Sequence, residues 1–139
     1  MKKAIIICHS KTGRTRRYAE EIEEYLEGKQ IQVSIVSIQG FKESLLQGVD
    51  FVMFGCWTSG LLFFFQHPDK QWRVFAAKLP TIQGVKLGLF TTYKILTGSM
   101  FGKMYAELKH KTSEPSMLLK SRNTHLSETD KIALNEFVR

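Results

Sequence analysis

Strand-like and helix-like segments alternate along this chain of 139 residues, and the alternation predicts an α/β fold. The apolar runs 3–8, 51–55 and 86–91 are typical of strands buried on both faces of a sheet. Apolar residues at helical spacing follow each run after a loop, which favours crossovers between parallel strands. The sequence therefore predicts a doubly wound, five-stranded parallel sheet with helices on both faces, in three layers.

The elements follow one another in the order βαβαβαβαβα. We predict strands at 3–8, 31–38, 51–55, 86–91 and 115–120. Helices are predicted from apolar stripes and end signals, namely a first helix ending at Gly28, a short one at 41–47, one with Pro68 in its first turn, one capped by Ser99 and a last one with a Ser127–Asp130 capping box.

Handedness then limits the topology. Crossovers between parallel strands are right-handed, and the expected strand order is 2-1-3-4-5, with a ligand crevice at the carboxyl ends of strands one and three. The loops 8–15, 56–67 and 91–98 lie at that edge, and we expect the functional residues there.

Length and composition limit the class of protein. The length fits a single domain, 1–139, and the fractions of 43% hydrophobic and 24% charged residues are those of a soluble globular domain. The apolar stretch 61–65 is too short to span a membrane, and 4–8 is too short for the core of a signal peptide. We therefore expect a cytoplasmic protein without a membrane span.

The net charge limits the classes of binding partner, and the cysteines indicate which disulfide and metal sites to expect. The net charge of +7 fits nucleic acid, an acidic protein or an anionic ligand. Cys8 and Cys56 end neighbouring strands in the expected order; two reduced thiols are expected, with a regulatory disulfide as the alternative. The sequence has no CxxC pair or Cys/His cluster, so we predict no metal site.

The loop after the first strand has the composition of an anion site. Residues 9–15, HSKTGRT, place three hydroxyls, one glycine and two cations at the opening of a helix. Backbone N–H groups there lack intrahelical partners and the helix dipole adds partial positive charge, so hydroxyls can complete a phosphate cradle. Capping alone needs only one hydroxyl. We predict a bound phosphate.

The same residues carry a family resemblance. The segment 10–15, SKTGRT, matches the phosphate motif S/T-x-T-G-x-T of flavodoxins, and the chain resembles a short-chain flavodoxin in length and element order from end to end. The resemblance implies flavin mononucleotide (FMN) as the cofactor, with hydroxyls and the backbone amides of 11–15 on its phosphate. The residues of this loop that we assign to the cofactor are Ser10, Lys11, Thr12, Gly13, Arg14 and Thr15.

By the same resemblance, the loops after strands three and four enclose the flavin ring between aromatic side chains. Trp57 and Tyr93 match those positions, and flat rings stack well on a flat heteroaromatic. The alternative for Trp57 is a loop anchor that packs on the core. Thr58, Thr92 and Lys94 complete the predicted site. The run 61–65 is interpreted as a partner or quinone surface, or as a loop folded over the flavin or into the core.

The resemblance implies a flavoprotein of electron transport. It is either an electron carrier or an FMN-dependent oxidoreductase, working with a redox partner protein or a small-molecule electron acceptor. No catalytic side chain is predicted, because the flavin supplies the chemistry. Flavodoxins are usually acidic, whereas this chain is basic and has Lys94 in its fourth-strand loop.

Two other functions fit parts of the sequence. Cys8-x5-Arg14 followed by Thr15 matches the signature of low-molecular-weight phosphatases and resembles arsenate reductases, with a thiolate nucleophile and an arginine clamp. No Asp-Pro supplies the expected general acid. A non-redox module for anions or nucleic acid fits the seven basic and two acidic residues of 86–125. No recognition motif accompanies them, so we do not expect nucleic acid as the partner.

Overall fold

A computed structural model of the chain describes residues 1–61 and 64–139. The strands it describes are β1 (Lys3–His9), β2 (Gln32–Ser37), β3 (Phe51–Leu61), β4 (Phe64–Pro68), β5 (Lys86–Thr92) and β6 (Pro115–Ser121). The helices are α1 (Arg14–Glu27), α2 (Lys70–Ala77), α3 (Met100–Leu108) and α4 (Glu128–Phe137), with a 3₁₀ helix, Glu43–Leu46, before β3. Among these helices, none is long and apolar enough to cross a membrane.

The sheet has the predicted topology. Its parallel strands follow the order β2-β1-β3-β5-β6, which is the predicted 2-1-3-4-5 order once β4 is set aside. Alternate residues of β1 face opposite layers. Ile6 belongs to a core cluster that includes Ile22 of α1 and Leu134 of α4, whereas Ile7 belongs to one that includes Trp72 of α2. Both faces are covered, and this explains why the strand sequences are continuously apolar.

The region 56–67 differs from the prediction of a long loop. Here β3 continues to Leu61 and pairs with β4 in an antiparallel hairpin, with Thr58 opposite Pro68 and Ser59 opposite His67. Leu62 and Phe63, which belong to the run interpreted as a partner surface or flavin cover, lie outside the described residues. The hairpin extends the chain beyond the edge of the parallel sheet.

The ends of α1 and α4 follow the sequence signals. Gly13 precedes α1 with φ of +86°, a left-handed conformation that glycine adopts without strain. The first helix ends at Gly28, as predicted. At α4, the Ser127 hydroxyl accepts from the Asp130 amide at 3.0 Å, and the Asp130 carboxylate accepts from the Ser127 amide at 3.1 Å. The predicted capping box is therefore confirmed.

Of two other helix signals, the one at Pro68 was wrong and the one at Ser99 was confirmed only in its position. Pro68 ends β4, and Asp69 caps α2 by accepting from the Gln71 amide at 3.1 Å. Ser99 occupies the predicted N-cap position of α3, but its hydroxyl donates to the Gln66 carbonyl at 3.3 Å and makes no capping hydrogen bond. In both places the hairpin, which the sequence did not predict, supplies the competing contact.

Candidate functional site

A cleft of about 380 Å³ opens at the carboxyl edge of the sheet. It lies where the strand order reverses, since β1 has β2 on one side and β3 on the other. Nine of the eleven predicted site residues line it. The first loop and the start of α1 contribute Lys11, Thr12, Arg14 and Thr15. Strand β3, the last residue of β5 and the loop after β5 contribute Trp57, Thr58, Thr92, Tyr93 and Lys94.

The two remaining predicted residues, Ser10 and Gly13, shape the first loop without lining this cleft. The Ser10 hydroxyl accepts from the Arg16 amide at 3.3 Å, so it satisfies one of the free N–H groups at the start of α1. Gly13 supplies the left-handed residue before the helix. For Ser10, helix capping accounts for the side chain.

Thr15 has a structural partner. It is 1% exposed, and its hydroxyl lies 2.7 Å from the hydroxyl of Thr92 at the end of β5. A second pair, Thr58 and Thr91, is also 2.7 Å apart, and the Thr91 hydroxyl donates to the Cys56 carbonyl at 2.6 Å. These threonines fix the positions of the first loop and the hairpin relative to β5.

Thr12 differs from the other two hydroxyl residues of the loop. It is exposed, and its side chain lines the cleft beside Lys11 and Arg14. The Arg14 guanidinium donates to the backbone carbonyl of Arg122, which holds it at the cleft. Thr12, the two cations and the start of α1 together form a cationic corner whose chemistry suits an anion.

Both predicted aromatic residues are half-buried in the walls of the cleft. The Lys11 ammonium lies 4.8 Å from the centre of the Trp57 ring, and the Lys120 ammonium lies 6.0 Å from that of Tyr93. Trp57 also packs against the core cluster around Trp72. Trp57 therefore lines the cleft and also packs on the core, as the core-anchor alternative predicts, and its stacking on a flavin stays a prediction.

Four lining residues were missed by the sequence analysis, namely Ser59, Gln66, Ile95 and Leu96. Ile95 and Leu96 are adjacent apolar residues in a polar loop that follows a strand, a pattern that could have identified them. Ser59 and Gln66 belong to the hairpin, which the sequence did not predict. The cleft thus has apolar as well as cationic lining residues.

Trp57 and Lys11 also line a second cleft, of about 600 Å³. In it the Nε2 atom of His9 lies 2.8 Å from the Asp69 carboxylate, and His9 is only 9% exposed. Because Asp69 also caps α2, this contact ties the start of α2 to the end of β1. This structural role is sufficient to explain the contact between His9 and Asp69.

The two cysteines are buried and free. Cys8 lies opposite Gly55, whereas Cys56 lies opposite His9, so the two thiols point to opposite faces of the sheet and belong to different core clusters. The alternative of a disulfide between Cys8 and Cys56 was therefore wrong, because the two side chains of a disulfide must point toward each other.

The phosphatase alternative needs a thiolate at Cys8. Burial instead raises the pKa of Cys8, in spite of the opposing effect of Arg16, and burial raises the pKa of Cys56 to about 12. A nucleophilic cysteine needs the opposite shift. The environment of Cys8 is that of a core side chain.

No family model and no curated protein sequence matches the chain. Several solved structures do. The two-electron reduced flavodoxin of Megasphaera elsdenii matches with a TM-score of 0.75 and 20% identity, over 96% of each chain. Oxidised flavodoxin 2 of Bacillus cereus matches with a TM-score of 0.73 and 18% identity, over 97% of this chain and 94% of that one.

A larger protein also contains the fold. The flavodiiron protein of Giardia intestinalis matches 99% of this chain with a TM-score of 0.66 and 13% identity, but only 35% of its own length is covered. At these identities the likeness is one of fold. The chain therefore has the flavodoxin fold over nearly its whole length.

Proposed function

We propose that the chain binds FMN in the first cleft and serves as an electron-transfer flavoprotein. One observation carries the proposal: three loops that are distant in sequence bring a cationic corner and two aromatic side chains around one cleft. Its volume of about 380 Å³ lies in the range of roughly 300–1,000 Å³ that is usual for small-molecule and cofactor sites.

The residues fit the chemistry of the cofactor. Thr12, Lys11 and Arg14, with the amides at the start of α1, are suited to the phosphate group. Trp57 and Tyr93 are suited to the flat ring system. FMN, when bound, would supply the electron chemistry, and the protein would bind it and set its electrostatic environment. The fold neighbours named flavodoxins support this assignment.

Titration of the purified apoprotein with FMN tests the proposal. We expect saturable quenching of flavin fluorescence at micromolar concentrations. Riboflavin, which lacks the phosphate, should bind much more weakly because it forms no contact at the cationic corner. An absence of saturable quenching with FMN would remove the proposed function and leave the fold unaffected.

The protein is either an electron carrier or a small reductase, and its partner is a redox protein or a small-molecule acceptor. Oxidation of NADPH with a quinone acceptor, measured on the FMN-loaded protein, separates these two roles. Turnover without an added reductase protein identifies a reductase. We also place the protein in the cytoplasm, following the expectation from its sequence.

A further inference from the structure

We infer that the surface around the mouth of the first cleft is a docking site for an acidic redox protein. This inference rests on the proposed function, because it names the partner of the same site. We call the surface the docking rim and define it by Lys11, Lys94, Lys120, Arg122, Ile95 and Leu96.

The docking rim is cationic. All four of its basic residues are exposed. Lys11 and Lys94 line the cleft, and the Lys120 ammonium lies over the Tyr93 ring. The backbone of Arg122 lies next to the cleft, because its carbonyl accepts a hydrogen bond from the Arg14 guanidinium. Among the lining residues that the structure describes, none is acidic. The rim therefore has a positive potential that an acidic surface complements.

The carboxylate of the neighbouring second cleft does not neutralise the rim. Asp69 lines the second cleft, where it is engaged by His9 at 2.8 Å and by the Gln71 amide at 3.1 Å. Glu20 and Glu21 of α1 contact Arg16 and His125 respectively. The cations of the rim have no ion pair among the described residues. Lys94, Lys120 and Arg122, which are not assigned to the FMN phosphate, are therefore available to a partner.

Exposed apolar side chains close in sequence to Lys94 and Lys120 favour a protein partner over a nucleic acid. Ile95 is 37% exposed and Leu96 is 38% exposed, and both line the cleft. Leu118, which is 50% exposed, lies two residues before Lys120 on the same side of the edge strand β6. Protein interfaces combine an apolar centre with a charged rim, whereas nucleic-acid interfaces are more polar throughout. The arrangement fits an acidic protein that contacts the mouth of the cleft.

The location also suits electron transfer. A partner seated on the rim covers the mouth of the cleft that is proposed to hold FMN. In the step we consider, one electron leaves a reduced [2Fe–2S] cluster of the partner and enters the flavin, so the cluster is oxidised, the flavin is reduced and no bond is formed. Opposite charges steer such encounters, and salt weakens the steering.

The test uses a plant-type [2Fe–2S] ferredoxin as an acidic probe. The rim variant is Lys120→Glu combined with Arg122→Glu, neither of which is assigned to FMN binding. The matched control is Lys78→Glu combined with Lys109→Glu. Those lysines are exposed and follow the ends of α2 and α3, at the opposite edge of the sheet. Both variants change the net charge equally.

Stopped-flow reduction of the FMN-loaded protein by reduced ferredoxin is the first measurement. At low ionic strength we expect the rim variant to react at least about tenfold more slowly than wild type, within the range of electrostatic steering. The control variant should stay within about threefold, and high salt should reduce the difference. Equal rates for the two variants at low salt would overturn the inference.

The second measurement needs no flavin. Addition of oxidised ferredoxin to the ¹⁵N-labelled apoprotein should shift and broaden the amide signals of residues 93–96 and 120–122, and salt should reverse the effect. Changes elsewhere, or none, would overturn the inference. Loss of FMN binding with these shifts retained would refute the proposed function alone. A short DNA duplex that binds the rim more tightly than ferredoxin does would replace the protein partner by nucleic acid.

Discussion

The three hydroxyl residues of the first loop share one motif and perform three different tasks. Ser10 caps α1, Thr15 is buried against Thr92, and Thr12 is exposed at the cleft. The motif predicted that all three lie near the helix start. It could not separate their tasks, because Thr15 is buried by a residue 77 positions further along the chain.

Substitutions at Thr12 and Thr15 should have different effects. Thr12→Val should leave the melting temperature of the apoprotein nearly unchanged, since the side chain is exposed. It should weaken FMN binding by about 10- to 100-fold, because a hydrogen bond to a charged group is worth roughly 1.5–3 kcal/mol. Thermal unfolding and FMN titration of the apoprotein measure the two effects.

Thr15→Val is the matched comparison. It leaves the buried Thr92 hydroxyl without its partner, which costs about 1–3 kcal/mol, so it should lower the melting temperature by several degrees even without FMN. If Thr15→Val left the stability unchanged and Thr12→Val reduced it, the structural roles assigned to the two threonines would be exchanged.

The two thiols should be unreactive in the native protein. Burial raises the pKa of both cysteines, that of Cys56 to about 12, so almost no thiolate exists at neutral pH. With Ellman's reagent we expect no fast labelling of the folded protein and two equivalents in guanidinium chloride. Rapid labelling of native Cys8, together with aryl-phosphate hydrolysis that Cys8→Ser abolishes, would revive the phosphatase alternative.

At the scale of elements, local signals predicted most boundaries, and the hairpin was the exception. The Ser127 capping box and the Gly28 helix end are set by neighbouring residues, and sequence therefore identifies them. The extension of β3 depends on pairing with β4, and no Asn-Gly or Asp-Gly turn marks the connection. Without such a turn signal, residues 56–67 were assigned to a loop.

The contact between α1 and the segment before α4 depends on Glu21. Its carboxylate accepts from the Leu126 amide at 3.0 Å and contacts His125 Nδ1 at 2.7 Å. These contacts, the Leu126 hydrogen bond first, lower the pKa of Glu21 from its ordinary value of 4.5. A lowered pKa in the folded state means that the stabilisation is complete above 4.5 and is lost as the pH falls through the folded-state pKa.

Glu21→Gln should therefore be less stable than wild type by a few degrees in melting temperature at pH 7. The difference should shrink as the pH falls below about 4.5, because the wild-type carboxylate is then protonated. Glu24→Gln, an exposed position on the same helix, is the control for the change of charge. A difference that stayed constant between pH 7 and pH 3 would show that the ionised carboxylate does not matter.

At the scale of the whole molecule, the topology was predictable because few arrangements satisfy the pattern. Continuously apolar strands must be covered on both faces, and right-handed crossovers then place helices on both sides. The same topology collects the carboxyl ends of β1, β3 and β5 at one edge, which is why loops distant in sequence line one cleft. Side-chain pairing across that edge, such as Thr15 with Thr92, does not follow from topology.

The whole molecule also determines the field at the cleft. With a net charge of +7 and Lys11, Arg14 and Lys94 lining the cleft, the protein favours negative charge there. Bound flavin gains negative charge on full reduction, so we expect its second one-electron potential to lie above that of acidic flavodoxins. Added salt should lower this potential, because screening weakens the favourable field.

Lys94→Glu tests the local part of that field. Unit charges 4 Å apart interact by about 1 kcal/mol in water and about 4 kcal/mol at an effective dielectric constant of 20. Since about 1.4 kcal/mol corresponds to roughly 59 mV for one electron, the second potential should fall by tens of millivolts at low salt and by less at high salt. Lys78→Glu is the control, because the seven-residue strand β5 separates the two sheet edges by roughly 20 Å. Redox titration of the three proteins at two salt concentrations is the measurement. If Lys94→Glu and Lys78→Glu shifted the potential equally at low salt, Lys94 would act only through the net charge and would have no position beside the flavin.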